Sequence, residues 1–477
     1  MDVTQLSRLQ FALTVSFHFI FPSITIGLAA LIAVIETFRW RTKKDIYDRL
    51  SVFLTKLFAV TFVIGVVSGI VMEFQFGTNW SRFSGFVGDI FGVPLAAEGI
   101  SAFFLESAFV GIVLFGRNRV GSTLRWIAGL LVFGGTTLSA FWILVANSWM
   151  QTPAGYVCSP DPSCNTNVVG EKAVLTDFWA AVFNPSTLPR FFHTVTACYV
   201  VGAFFLMGVC AWYVLRGRGS DVTSFALRLS VAIAFLGAGG MFATGDLQTR
   251  EVQANQPLKF AAMEGVCQTA NGVPLDLIAI PPSQNCSTGT GLGISIPYGL
   301  SAMSDLNPNG QIKGLDQQPD QSLWPPVAET FMSFHLMVGL GAMMMLLMLL
   351  GVFFWWRHEL EKHRWWLWLA VIAIPAPIIA TEFGWMTAEV GRQPWIVQGL
   401  MMVSAGTSPS VSATDVTISL IGIVLLYALL FFLWIYGLTR EIRRGPELAP
   451  GEHALAPPVA VGPPEDQVTP ATGKAGR

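Results

Sequence analysis

Charge is what this sequence has least of. Only 12% of its 477 residues are Asp, Glu, Lys or Arg, about half the share found in ordinary soluble domains. With 53% hydrophobic residues, 36 Phe and 16 Trp, the chain has too little polar surface to clothe a water-soluble exterior. A cytosolic enzyme, a nucleic-acid binder and a disordered chain are excluded. The formal net charge of -2 points to no polyanionic partner. Cysteine is scarce as well: six residues, none in CxxC or CxxCH spacing, so a covalently attached heme is not indicated. Period-2 alternation is missing too, which excludes a β-barrel.

What the chain has is long apolar runs. A helix needs about 20 apolar residues to cross the hydrocarbon core, and nine segments qualify: roughly 10–37, 52–76, 97–115, 126–149, 191–214, 225–244, 327–356, 366–385 and 414–437. The expected fold is an all-α polytopic membrane protein in a lipid bilayer. The connections after spans 1, 3, 5, 7 and 9 hold 17 Lys or Arg, against eight on the opposite side in much longer loops. That asymmetry predicts an N-terminus outside and a C-terminus in the cytoplasm.

The organisation then reads as spans 1–6 with a first outer loop (residues 1–245), a large outer loop (246–326), spans 7–9 (327–440) and a Pro/Ala/Gly-rich cytoplasmic tail (441–477) expected to be disordered. Cys158 and Cys164 share the first outer loop, and Cys267 and Cys286 share the second. An oxidising compartment favours two disulfides there over a metal site.

Ionisable residues inside spans are costly and suggest function. His18, His193 and His335 lie in apolar helices, whereas His358, His363 and His453 fall in the cytoplasmic loop and tail. At 1.5 Å per residue, His18, His335 and Met337 lie about 12–15 Å from the outer side, and His193 about 3 Å. Glu98 is expected at the outer edge of span 3, with Glu106 two turns deeper and Glu389 just beyond span 8. A single buried His is more often structural, but several candidates in one half of the membrane favour a site. Imidazole, thioether and carboxylate in a helical bundle suit heme iron, a His/Met pair giving a low-spin centre.

The segment GWMTAEVGRQPW (384–395) resembles the signature of subunit I of the cytochrome bd family of quinol oxidases. Similar matches run through RLQFALTVSFHFIFPSITIG, EGISAFFLES, FFHTV, NQPLKFAAMEG and SFHLMVG, covering about residues 1–440. The spacing between Ala328 and Glu389 resembles the family's short-loop form.

The resemblance implies His193 and Met337 as axial ligands of a low-spin heme b. His18 and Glu389 are implied as ligands of the two high-spin hemes, b and d, a second b in place of d being an alternative. Glu98 lies beside that pair and is a further candidate ligand. Glu106, Ser107 and Ser139 resemble a proton route, and Trp385 and Arg392 resemble residues that order the hemes. Lys259 and Glu264 resemble the quinol-oxidation residues.

The family further implies a second large membrane subunit, small accessory subunits, menaquinol or ubiquinol as donor, oxygen as acceptor and the bacterial cytoplasmic membrane as location. One departure stands out: where better-known members carry Arg, this chain has His335, which puts propionate pairing there in doubt. A diheme b membrane anchor of a dehydrogenase and a secondary transporter are the rival classes. The transporter needs no His/Met pair, and the anchor has no oxygen site.

Overall fold

The computed structural model describes residues 2–446 apart from 117, 118, 167, 169 and 289–292. The tail expected from residue 441 therefore lies, from 447 onward, outside the described residues. Among the described residues, nine helices are long and apolar enough to cross a membrane. Spans 1 to 4 are Val3–Thr42, Asp45–Thr78, Ser81–Phe115 and Ser122–Gln151, and spans 5 and 6 are Thr187–Leu215 and Asp221–Asn255. Span 7 is the helix Val327–Trp356, and spans 8 and 9 are Arg364–Val390 and Ala413–Arg444. The all-α expectation holds; the strands are short two-stranded ribbons in the connections.

Local chemistry sets the ends. Asp2 accepts the backbone N–H of Gln5 at 2.7 Å and opens span 1, while capping boxes at Ser220/Thr223 and Ser412/Asp415 open spans 6 and 9, each satisfying amide groups that have no helical partner. Span 8 breaks between Ile372 and Ala376, where Pro375 and Pro377 remove amide donors.

Several boundaries differ from the sequence reading. Span 3 begins at Ser81 rather than near 97, because Arg82, Asp89 and Pro94 lower the apolar signal of a segment that is nonetheless helical. Glu98 is thus well inside a long helix, at the start of a π-helical stretch, Glu98–Phe103. Span 6 continues to Asn255, so the large connection starts at Gln256 rather than 246. Span 8 continues to Val390, placing Glu389 in its last turn instead of outside it. Span 9 runs to Arg444, past the expected edge at 440.

Spans 1 and 5 form the centre of the bundle. They cross where Gly27 meets Gly202: a Cβ on Gly27 would lie 2.6 Å from the Gly202 nitrogen. Only glycine permits that backbone approach. On the face that carries the two long connections, a loop helix, Pro257–Glu264, is buried against span 7. Gly265 in the left-handed conformation ends it. Two disulfides, Cys158–Cys164 and Cys267–Cys286, staple the connections as expected.

Candidate functional site

Span 4 carries a ladder of polar contacts along its length. At the end away from the long connections, Arg125 pairs with Glu36 at 2.8 Å and with Asp48 at 2.6 Å. Higher up, Gly135 faces Glu106: a Cβ there would stand 3.3 Å from Glu106 Cβ. One turn further, Ser139 Oγ donates to Glu98 Oε1 at 2.7 Å. Glu73 of span 2 and, on the turns below, the buried Glu106 both lie within reach of the Glu98 charge, so three carboxyl groups line this stretch of the ladder.

Ser107 does not join them. It is exposed and bonds back to the Phe104 carbonyl, because adjacent helical positions point about 100° apart. The wider π turn between Glu98 and Glu106 also replaces the regular α spacing assumed from sequence.

At the top of the ladder, Glu389 Oε1 accepts from Asn147 Nδ2 at 3.0 Å and from Gln151 Nε2 at 3.3 Å, and Oε2 accepts from Arg392. Asn147 Oδ1 in turn accepts from Arg190 at 3.2 Å. Lys259 of the loop helix donates to Gln151 Oε1 at 3.1 Å and to the Ala388 carbonyl at 2.9 Å. Burial, reinforced by the Arg190 charge, holds the Lys259 ammonium well below its ordinary range.

Glu264 is also buried, but five residues along the helix it points about 140° away from Lys259. The two implied quinol residues therefore share an element without meeting. Burial and the neighbouring Asp276 push the Glu264 carboxyl up to about 8.

The three implied iron ligands outside this cluster share a pattern. His18 Nδ1 is 3.0 Å from Ser68 Oγ, and His193 Nδ1 is 3.2 Å from Thr244 Oγ1; no hydrogen bond engages the Nε2 atom of either ring among the described residues. Metal-binding histidines commonly have one nitrogen held by an outer partner and the other free. Each ligand also faces a glycine on a neighbouring helix. A Cβ at Gly69 would lie 3.0 Å from His18, one at Gly245 would lie 3.4 Å from His193, and one at Gly384 would lie 2.9 Å from Met337 Sδ.

His335 differs. Its Nδ1 is 3.0 Å from the Phe331 carbonyl and its Nε2 2.9 Å from the Asp276 carbonyl, leaving no nitrogen for iron. Trp385 stacks on Phe19 with centroids 6.0 Å apart, tying span 8 to span 1 beside His18.

The donor set suits a flat, acidic-edged, iron-bearing group. Arg190 Nε and Arg392 Nε and Nη1 are buried without partners among the described residues, so guanidinium donors remain for carboxylate substituents such as heme propionates. Sequence reasoning missed Arg190, Asn147, Gln151 and Glu73. Only Arg190 and Glu73 carried a signal, as charges next to or within an apolar run.

Nearly the whole chain resembles known proteins. The family model described as "Cytochrome bd terminal oxidase subunit I" matches residues 6–446. The chain is 36% identical over 450 residues to the cytochrome bd ubiquinol oxidase subunit 1 of Bacillus subtilis (strain 168), covering 93% of this chain and 94% of that one. It is likewise 36% identical over 514 residues to the cytochrome bd-II ubiquinol oxidase subunit 1 of Escherichia coli (strain K12), covering 94% and 98%. The bd oxidase structure from Geobacillus thermodenitrificans superimposes with a TM-score of 0.84 at 29% identity, over 93% of this chain and 99% of that one.

Proposed function

The chain belongs to the cytochrome bd terminal oxidase subunit I family, and from that premise we propose that it oxidises quinol at the outer face and delivers the electrons to oxygen using cytoplasmic protons. Membership makes it a heme-bearing, multi-pass subunit of a quinol:oxygen oxidoreductase in the bacterial cytoplasmic membrane, working with a second subunit. The distribution of Lys and Arg supports an N-terminus outside, so the long connections face outward and span 9 ends in the cytoplasm. Small accessory subunits complete the proposed assembly.

The observation that carries the site reading is the free Nε2 of His18 and of His193, each on a ring anchored through Nδ1. His193 and Met337 would hold a low-spin heme b, and His18 and Glu389 the two high-spin hemes, b and d or a second b, with Glu98 alongside. Hemes bound there supply the electron path and the iron at which oxygen is reduced. Arg392 and Arg190 neutralise acidic edges of the bound groups, and Trp385 fixes the spacing of spans 1 and 8.

Quinol, as menaquinol or ubiquinol, docks at the loop helix between Lys259 and Glu264. Glu264 takes its proton and releases it outward. Glu106, then Glu98 with Ser139, move protons from the cytoplasmic side towards the oxygen site; Ser107, turned away, is left out of that route. Charge separates across the bilayer because the two proton paths open on opposite faces.

A reduced-minus-oxidised spectrum of the purified oxidase, with quinol-driven oxygen uptake, tests this. Low-spin b bands with a far-red chlorin band are expected. Absence of heme bands in an oxygen-consuming preparation overturns the ligand assignment.

A further inference from the structure

The large connection holds a stretch unlike the rest of the exterior. From residue 277 to residue 304 there is no Asp, Glu, Lys, Arg or His, although soluble surfaces carry about a quarter charged residues. The strand Leu275–Ile278, which enters this stretch just past Asp276, pairs antiparallel with Ile294–Ile296; Leu275 packs half-buried against the core of the connection, while the other apolar side chains of the two strands are exposed. Ile278 is 67% exposed and Ile294 62%, and Leu277, Ile280 and Ile296 are exposed as well. Ile278 and Ile294 are cross-strand partners, so they form one continuous apolar patch.

A hydrogen bond fixes the height of this ribbon. His335 Nε2 reaches the Asp276 carbonyl at 2.9 Å, so the ribbon lies beside residue 335 of span 7. From His335 to Trp356, the last residue of that helix, is 356 − 335 = 21 residues, or about 32 Å at 1.5 Å per residue. The hydrocarbon core is about 30 Å thick. Trp355, Trp356 and Arg357 follow the pattern of a membrane–water boundary at the far end. Span 7 as a whole, Val327–Trp356, is longer than the core, so with Trp356 at one boundary its first two turns project beyond the other, and His335 with the ribbon stands near that opposite boundary rather than about 12 Å inside it.

Around it, Met332, Leu336 and Val338 of span 7 are exposed too, so the ribbon adjoins an apolar side of that helix. Open strand edges are not tolerated in the hydrocarbon centre, but at the headgroup level water still reaches them.

We propose that this ribbon is an interfacial membrane contact: Ile278 and Ile294 dip into the acyl boundary of the adjacent leaflet, while the strand backbone stays among the headgroups. This goes beyond the redox reading and does not depend on it. Burying these side chains in lipid removes apolar surface from water and holds the connection, with Glu264 at its start, at the level where a membrane-dissolved quinol arrives.

The test places single cysteines at Ile278, Ile294 and, as control, the exposed Asn309. Each is labelled with an environment-sensitive fluorophore in the assembled oxidase, in vesicles of phosphatidylcholine and phosphatidylglycerol. Acyl-chain-brominated lipid should quench the label at Ile278 and Ile294 severalfold more than at Asn309, with blue-shifted emission at the first two. An unchanged heme spectrum verifies folding, and the two ribbon positions report independently if one variant misfolds. Blue-shifted emission without quenching means that protein, such as the second subunit or another copy, covers the ribbon. Red-shifted emission means water does. Either outcome overturns the proposal.

Discussion

Lys259 Nζ lies 2.9 Å from the carbonyl oxygen of Ala388, so the loop helix grips the turn of span 8 that carries Glu389. The proposed quinol and oxygen sites are joined by one buried side chain. The same Nζ donates to Gln151 Oε1 of span 4 at 3.1 Å and to Gln256 Oε1 at 3.4 Å, so the loop helix, span 4 and span 8 converge on it.

Removing that grip should disturb the quinol site first. Each hydrogen bond contributes about 0.5–1.5 kcal/mol, and those to Gln151 and Ala388 are both lost, so Lys259→Met should raise the KM for quinol roughly five- to hundredfold. Dithionite-reduced heme bands should keep their normal intensity, since the proposed iron ligands are untouched. Steady-state kinetics with a matched spectrum measure both. A normal KM in Lys259→Met would remove Lys259 from the quinol site.

The second prediction concerns pH. Glu264, pushed up to about 8 by burial and Asp276, is mainly a neutral carboxylic acid below that pH and a carboxylate above it. Only the carboxylate accepts a proton from quinol. The kcat/KM for quinol should therefore rise from pH 6 to 9 with an inflection near 8. Glu264→Gln should lower activity and flatten that limb; a wild-type profile with no such limb contradicts the assignment.

Much of this was legible in the sequence because membrane burial is written in long apolar runs. Span 7 was read at its observed limits, Val327–Trp356. Span 3 was not: Arg82, Asp89 and Pro94 dilute its apolar signal while the helix persists. The anchored rings of His18 and His193 follow the depth argument, but their partners Ser68 and Thr244 could not be inferred, since pairing between helices 50 residues apart depends on packing. Asn147 and Gln151 lay hidden for the same reason: neutral amides at the end of a span give no charge signal. His335 stood out by motif, yet its contact with the Asp276 carbonyl exists only once the connection folds back.

The third prediction separates His335 from Met337. Met337→Leu keeps volume and loses the sulfur, so the low-spin signal should convert to high-spin or vanish. Gly384→Ala should weaken the same signal, because the added Cβ would stand 2.9 Å from Met337 Sδ. His335→Leu should leave the centre low-spin while shifting its potential. Losing a hydrogen bond worth about 1 kcal/mol to the connection should also raise the quinol KM about fivefold. Electron paramagnetic resonance of the three variants decides it: loss of the low-spin signal in His335→Leu alone reverses the ligand choice.

The last prediction rests on span 3. Glu106 is buried at 6% exposure beneath Glu98, whose carboxylate is held by Ser139 at 2.7 Å. The π turn between them offers both side chains to the same neighbouring span 4. A proton crossing an apolar interior needs groups that take it up and release it again, and Glu106 is the deepest carboxyl on this ladder before Glu98. Glu106→Gln keeps the shape and removes the exchangeable acid. Positioned acids and bases contribute about 10²–10⁴ in rate, so oxygen uptake should fall at least about a hundredfold. Single-turnover reduction of the low-spin centre by quinol should stay near normal, since that step draws on Glu264 of the loop helix and not on span 3. Ser107→Ala, on the exposed side of the same helix, should have little effect. Near-normal oxygen uptake in Glu106→Gln with intact heme content would place the proton route elsewhere.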